Sequence, residues 1–140
     1  MNNEALELLL GIGIVVLLFS ALIGIVVAVL YLLNLQNLLK RISPENRAVE
    51  PSNVWLMLIP IFNLVYAFIL YPKISESVKN EFSKRGLTDG GDYGKSLGTA
   101  MAVLGLCGFI PIFGGFASIA HLVIWIIYWV KMSEYKSKLS

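Results

Sequence analysis

Charge is what this sequence has least of. Only 14% of its 140 residues are charged, while 57% are hydrophobic; a soluble globular domain is nearer a quarter charged. No Asp, Glu, Lys or Arg occurs between Glu7 and Lys40, between Glu50 and Lys73, or between Lys95 and Lys131. Cysteine is scarce too. Cys107 stands alone, which excludes an intrachain disulfide and a cysteine metal cluster. His121 is the single histidine and no acid shares its apolar run, a poor basis for a proton relay. The formal net charge of +2 is too small to argue for nucleic acid. No nucleophile elbow, phosphate loop, HExxH or paired carboxylate lies in the apolar runs. The sequence therefore predicts no metal, no cofactor and no catalytic group.

What is present is apolar length. A membrane-crossing helix needs about 20 largely apolar residues. The first run spans with length to spare, over about 8–33. The second, about 54–71, spans with little slack. The third holds 35 uncharged residues broken by Pro111, Gly114 and Gly115, and reads as two helices, about 94–112 and 114–130, joined by a tight turn. The expected fold is thus all-α: one transmembrane domain over 1–140, an integral membrane four-helix bundle. The acidic start and long apolar stretch do not read as a cleavable signal.

Local signals refine this outline. Asn3 is placed to cap the first helix, with Glu4 and Glu7 at its positive end. Leu35, Leu38, Leu39 and Ile42 keep a 3–4 spacing, so the helix should continue past the membrane. Pro60 should kink the second helix and Pro111 the third. Ile74, Val78 and Phe82 recur among Lys79, Glu81, Lys84 and Arg85, which predicts a cytoplasmic amphipathic helix on the membrane surface between helices 2 and 3. Thr88–Asp92 is a polar loop whose aspartates lack the ligand count of an EF-hand.

Ile-Pro-Ile-Phe occurs twice, at Ile59–Phe62 and Ile110–Phe113. Lys73-Ile74-Ser75-Glu76 follows the first copy and Lys131-Met132-Ser133-Glu134 the second. Two parallel two-helix repeats, or coincidence in a low-variety apolar sequence, both account for this. Four spans put eight of the eleven basic residues on the side of the termini, which the positive-inside rule makes cytoplasmic. The first helix alone argues the other way, being acidic before and basic after. A re-entrant 54–71, turning at Pro60 and Asn63, removes that conflict by gathering all eleven basic residues on one side. Four full spans are the preferred expectation.

Candidate functional residues are few. Asn63 and His121 fall near mid-membrane, with Ser118 on the histidine's helix face. A polar group at that depth needs a partner, so the three form a candidate intramembrane polar site. Ser20, Gly24 and Ala28, then Gly94, Gly98 and Ala102, then Gly114, supply small residues suited to close helix packing.

Leu35–Leu39, Ser43–Arg47, Pro51, Val54–Leu56 and Ile59–Asn63 carry a resemblance, joined by Ser75–Ser77, Glu81-Phe82, Gly94–Leu97 and Ile126–Lys131. The pattern Trp55, four residues, Pro60, two residues, Asn63 resembles small uncharacterised bacterial inner-membrane proteins with four transmembrane helices. The resemblance implies a bacterial cytoplasmic membrane and no established activity. The leading functional expectation is a non-enzymatic interaction or assembly protein. It would sit in membrane lipid as a homo-oligomer or beside another membrane protein, with both termini cytoplasmic. A small channel or carrier using Asn63, His121 and Ser118 is the alternative. A lipid-headgroup enzyme ranks last, because Arg47, Lys73 and Glu76 can meet only if the first and second loops share a side.

Overall fold

The computed structural model describes residues 2–139. Four α-helices carry most of the chain: α1 (Asn3–Lys40), α2 (Phe62–Lys84), α3 (Lys95–Cys107) and α4 (Gly114–Lys138). A short 3-10 turn, Pro44–Asn46, and a 3-10 helix, Pro51–Leu58, lie between α1 and α2. No strand occurs among the described residues, so the protein is all-α. The chain divides into two compact units, Met1–Leu32 and Leu33–Ser140.

The first unit holds most of α1, whose side chains from Leu6 to Val26 are nearly all exposed. Asn2 rather than Asn3 caps it: the Asn2 side-chain oxygen accepts the Ala5 N–H at 2.8 Å. Two helices are long and apolar enough to cross a membrane, Asn3–Lys40 and Gly114–Lys138. The expected segments 8–33 and 114–130 lie inside them. At 13 residues, α3 rises only about 20 Å.

The segment 54–71 is not one kinked helix. The 3-10 helix ends at Leu58, the chain turns through Ile59-Pro60-Ile61, and α2 starts at Phe62. The second Ile-Pro-Ile-Phe copy likewise separates α3 from α4. Both prolines stand in turns, and the elements on either side pack against each other as hairpins.

The two turns share a positive φ and two backbone hydrogen bonds. Ile61 has φ 67° and Ile112 φ 76°, a left-handed conformation that β-branched residues rarely adopt and that costs about 1–3 kcal/mol. The first isoleucine of each copy donates its N–H three residues back, Ile59 to Leu56 at 3.2 Å and Ile110 to Cys107 at 3.0 Å. The residue after each phenylalanine donates to that first isoleucine, Asn63 to Ile59 at 3.0 Å and Gly114 to Ile110 at 2.8 Å. In the first copy the Phe62 N–H also reaches the Pro60 carbonyl at 2.7 Å, closing a γ-turn of the rarer hand.

The second unit has a packed core. α1 continues past its apolar run to Lys40, as the spacing of Leu35, Leu38 and Leu39 predicts, and these three are buried with Ile42, Ile74, Val78 and Phe82. The latter three belong to the second half of α2, which runs unbroken through Pro72. Their apolar face meets protein, where a helix lying on the membrane surface was expected. Phe82 meets the rings of Tyr93 and Tyr135 edge-on at 5.6 and 5.4 Å. α3 enters this core by way of small residues. A β-carbon on Gly98 would stand 2.5 Å from the Tyr71 Cβ, and one on Gly94 2.7 Å from the Met132 Cε.

Two substitutions separate packing from polarity here. Gly98→Val drives a side chain into Tyr71 and is expected to lower stability by about 2 kcal/mol. Tyr128 is fully buried with an unpartnered hydroxyl. Removing that group as Tyr128→Phe should hold or raise stability, by up to about 1 kcal/mol. Thermal unfolding of the detergent-solubilised protein reads both; a Gly98→Val variant as stable as wild type refutes the close approach.

Candidate functional site

Helix ends organise the polar chemistry of the second unit. The last carbonyls of α1 have no helical donors, and basic side chains supply them. Arg47 Nε donates to the carbonyls of Leu39 and Ile42, each at 2.9 Å, and its Nη2 to that of Lys40 at 3.2 Å. Arg85 reaches the Arg41 carbonyl at 3.2 Å. Arg41 in turn donates to the Lys136 carbonyl, near the end of α4, at 2.5 Å. Cations at helix C-termini are also favoured by the helix dipole.

A buried carboxylate lies beside these arginines. Glu81 is 1% exposed. It accepts the Ser43 N–H at 3.1 Å, the Ser43 hydroxyl at 3.2 Å, the Asn46 amide at 2.8 Å and Arg85 Nε at 3.1 Å. Burial pushes its carboxyl up, but the donors Asn46, Ser43 and Arg85 outweigh it and hold the group below the usual carboxylate range. Beside it the Ser77 hydroxyl accepts the Ala48 N–H at 2.8 Å and donates to the Lys73 carbonyl at 2.7 Å. Segment 41–48 is thus bonded directly to 77–85.

The polar loop after α2 is tied down separately. Asp89 accepts the Tyr135 hydroxyl at 2.7 Å and lies 3.9 Å from the Lys131 ammonium. Burial, the Asp89 bond and nearby negative charge push the Tyr135 hydroxyl well up. Asp92 accepts both the N–H and the hydroxyl of Ser96 in the first turn of α3. The hydroxyl above all holds its carboxyl low. Ser75 donates to the Tyr93 carbonyl at 3.0 Å. Between this loop and α2 opens a cleft of ≈ 430 Å³, with Pro72, Ser75, Glu76 and Lys79 on the helix wall and Asp92 and Lys95 on the other.

The residues singled out from sequence lie elsewhere. Asn63 donates its amide to the Met57 carbonyl at 3.1 Å, across the first turn. His121 is half-buried on α4, and Ser118 is exposed beside Gly108. No hydrogen bond among the described residues joins the three. Ser20 and Gly24 are exposed and Ala28 half-buried, with nothing within 4 Å of a β-carbon built on Gly24. Gly94, Gly98 and Ala102 are buried in the second unit, and a β-carbon on Gly114 would stand 2.6 Å from the Gly108 carbonyl oxygen. Sequence reasoning missed Glu81, reading it as part of a solvated face. Its signal was position: it directly precedes the buried Phe82 and lies four residues before Arg85.

The sign of the Glu81 effect fixes a pH dependence. A carboxyl depressed in the folded state contributes stability that is complete above its ordinary value, near pH 4.3. That contribution is lost as pH falls through the lower folded value. Glu81→Ala is expected to cost about 3 kcal/mol at neutral pH, since it strands buried donors. Glu81→Gln should flatten the loss of stability below about pH 4. Urea titrations from pH 7 to pH 3 measure both; an unchanged acid limb in Glu81→Gln rules out the linkage.

No family model, curated protein or solved structure matches the chain, so its function is read from this geometry.

Proposed function

We propose that the protein is a non-enzymatic membrane interaction protein, anchored by α1 and working in the cytoplasmic leaflet through two re-entrant hairpins. The observation that carries this reading is the bonding of 41–48 to 77–85. If 54–71 crossed a bilayer, these segments would lie about 30 Å apart on opposite faces; Asn46 and Glu81 are 2.8 Å apart. With both on one face, every Lys and Arg from Lys40 to Lys138 is gathered there. The positive-inside rule then makes that face cytoplasmic and puts the acidic start outside.

The hairpins suit entry from that face. Phe62 to Tyr71 rises only about 15 Å, half the hydrocarbon thickness. Both tips are apolar and bare: Ile61 is 80% and Ile112 88% exposed. A water-facing loop would carry polar residues there. Irregular backbone at membrane depth is tolerated only where protein covers it or it lines a water-filled cavity; the turn bonds, the donorless prolines and the Asn63 amide satisfy part of it, and the bare tips leave the rest to a partner. Exposed α1, apolar on every side, is likewise suited to lipid or to another apolar helix. The Asn63 amide is engaged across its own turn, and this removes the main support for a pore built on Asn63, His121 and Ser118.

Cysteines placed singly at Asn3, Asn53, Lys79 and Lys138 in a Cys107→Ser background test the topology. With a membrane-impermeant maleimide, the last three are expected to react together from the cytoplasmic side and position 3 from the other. Reaction of positions 53 and 79 from opposite sides overturns the re-entrant reading. Native mass spectrometry from the protein's own membrane tests the assembly role. A homo-oligomer or a defined hetero-complex is expected, and a monomer that conducts solute in liposomes defeats it.

A further inference from the structure

The cleft between α2 and the loop leading into α3 has polar walls that are engaged only in part. Ser75 is used by the Tyr93 carbonyl and Asp92 by Ser96, bonds that fix the loop against the helix. Three charged groups in the cleft are not used. The ammonium groups of Lys79 and Lys95 and the carboxylate of Glu76 make no hydrogen bond or ion pair among the described residues. Glu76 and Lys79 are three residues apart on one helix face, while Lys95 comes from the first turn of α3.

Two cations on separate walls, Lys79 and Lys95, with two anions, Glu76 and the Ser96-bonded Asp92, call for a ligand that itself carries both signs. An anion with several oxygens, such as a phosphodiester, can accept from both lysines. The free carboxylate adds a demand for a hydrogen-bonding cation on the same ligand. A quaternary ammonium has no N–H to offer and is ordinarily held by several aromatic faces; Tyr93 is the one aromatic among the lining residues, and its ring is packed against Phe82 and Tyr135. A primary ammonium fits Glu76 directly. The cleft begins at Pro72, where the apolar stretch of α2 gives way to charge, the level at which a hairpin leaving the hydrocarbon meets headgroups. We propose that this cleft binds the phosphoethanolamine headgroup of a membrane phospholipid, with Lys79 and Lys95 on the phosphate and Glu76 on the ammonium. The lipid source rests on the re-entrant reading; the headgroup chemistry does not.

The protein in nanodiscs of equal phosphatidylethanolamine, phosphatidylcholine and phosphatidylglycerol, examined by native mass spectrometry, tests the proposal. Phosphatidylethanolamine is expected to be retained over both others. Lys79→Gln with Lys95→Gln should cut that retention about tenfold, and Glu76→Gln should abolish the preference over phosphatidylglycerol. All three side chains are exposed, and unchanged thermal unfolding confirms that the variants fold. Equal retention of the three lipids, or indifference to the substitutions, overturns the site. So does a preference for phosphatidylglycerol that survives Glu76→Gln, which would mark a merely basic patch. Soluble glycerophosphoethanolamine, titrated in detergent, separates the two readings. Its binding, lost in the lysine variants, upholds the headgroup chemistry even if position 79 labels from outside and the topology falls. Correct labelling with no headgroup selectivity sinks this proposal alone.

Discussion

A buried carboxylate holds together the parts of this protein that the chain leaves far apart in sequence. Glu81 lies on α2, its donors Ser43 and Asn46 lie just after α1, and its partner Arg85 also reaches the Arg41 carbonyl immediately past the end of α1. A carboxylate out of water is tolerable only when charge and hydrogen bonds replace its hydration, and here four bonds do so. The arrangement is reciprocal. The carbonyls ending α1 call for cations, the cations need a counter-charge, and the counter-charge needs fixed donors. Arg47, Arg85 and Glu81 meet these requirements together.

That dependence constrains how the chain can meet a membrane. Segment 41–48 and the second half of α2 cannot be drawn to opposite faces without breaking the network and stranding a buried charge. The proposed topology follows from accepting this constraint, with the hairpins entering and leaving by one face. It also resolves a conflict in the charge pattern. The first helix, acidic before and basic after, and the basic segments downstream now ask for the same orientation.

The sequence was most legible where periodicity was strong. The all-α class, the continuation of α1 beyond its apolar run, the amphipathic pattern of Ile74–Phe82 and the turn between α3 and α4 follow from apolar spacing and from Pro and Gly, though the face Ile74–Phe82 meets protein and not the membrane surface. It was least legible where a local rule was overridden by a distant partner. Pro60 predicts a kink, yet the following Ile61 adopts φ 67°, which no propensity favours. Glu81 and Arg85 look like a solvated i,i+4 pair; only the fold reveals that Ser43 and Asn46 cover the carboxylate. The cleft residues sit among ordinary surface charges in the sequence, because the wall that faces Lys79 comes from the loop before α3 and its first residue, Lys95, sixteen residues away.

The repeated turn shows how chemistry and environment are reconciled. Glycine at positions 61 and 112 would relieve the strain of positive φ, and in water a glycine or asparagine would be the natural choice. At the tip of a hairpin immersed in lipid the balance differs. Glycine presents bare backbone polar groups to hydrocarbon, where an unsatisfied group costs several kcal/mol, more than the strain of one isoleucine. An isoleucine adds apolar surface there, the preceding proline has no N–H to satisfy, and the first isoleucine's carbonyl is filled from beyond the turn. A strained, wholly apolar tetrapeptide is therefore the less costly solution in a bilayer and a poor one in water. Its recurrence at both tips, with a positive φ and two backbone bonds in common, supports the proposal that both hairpins are built for the same medium.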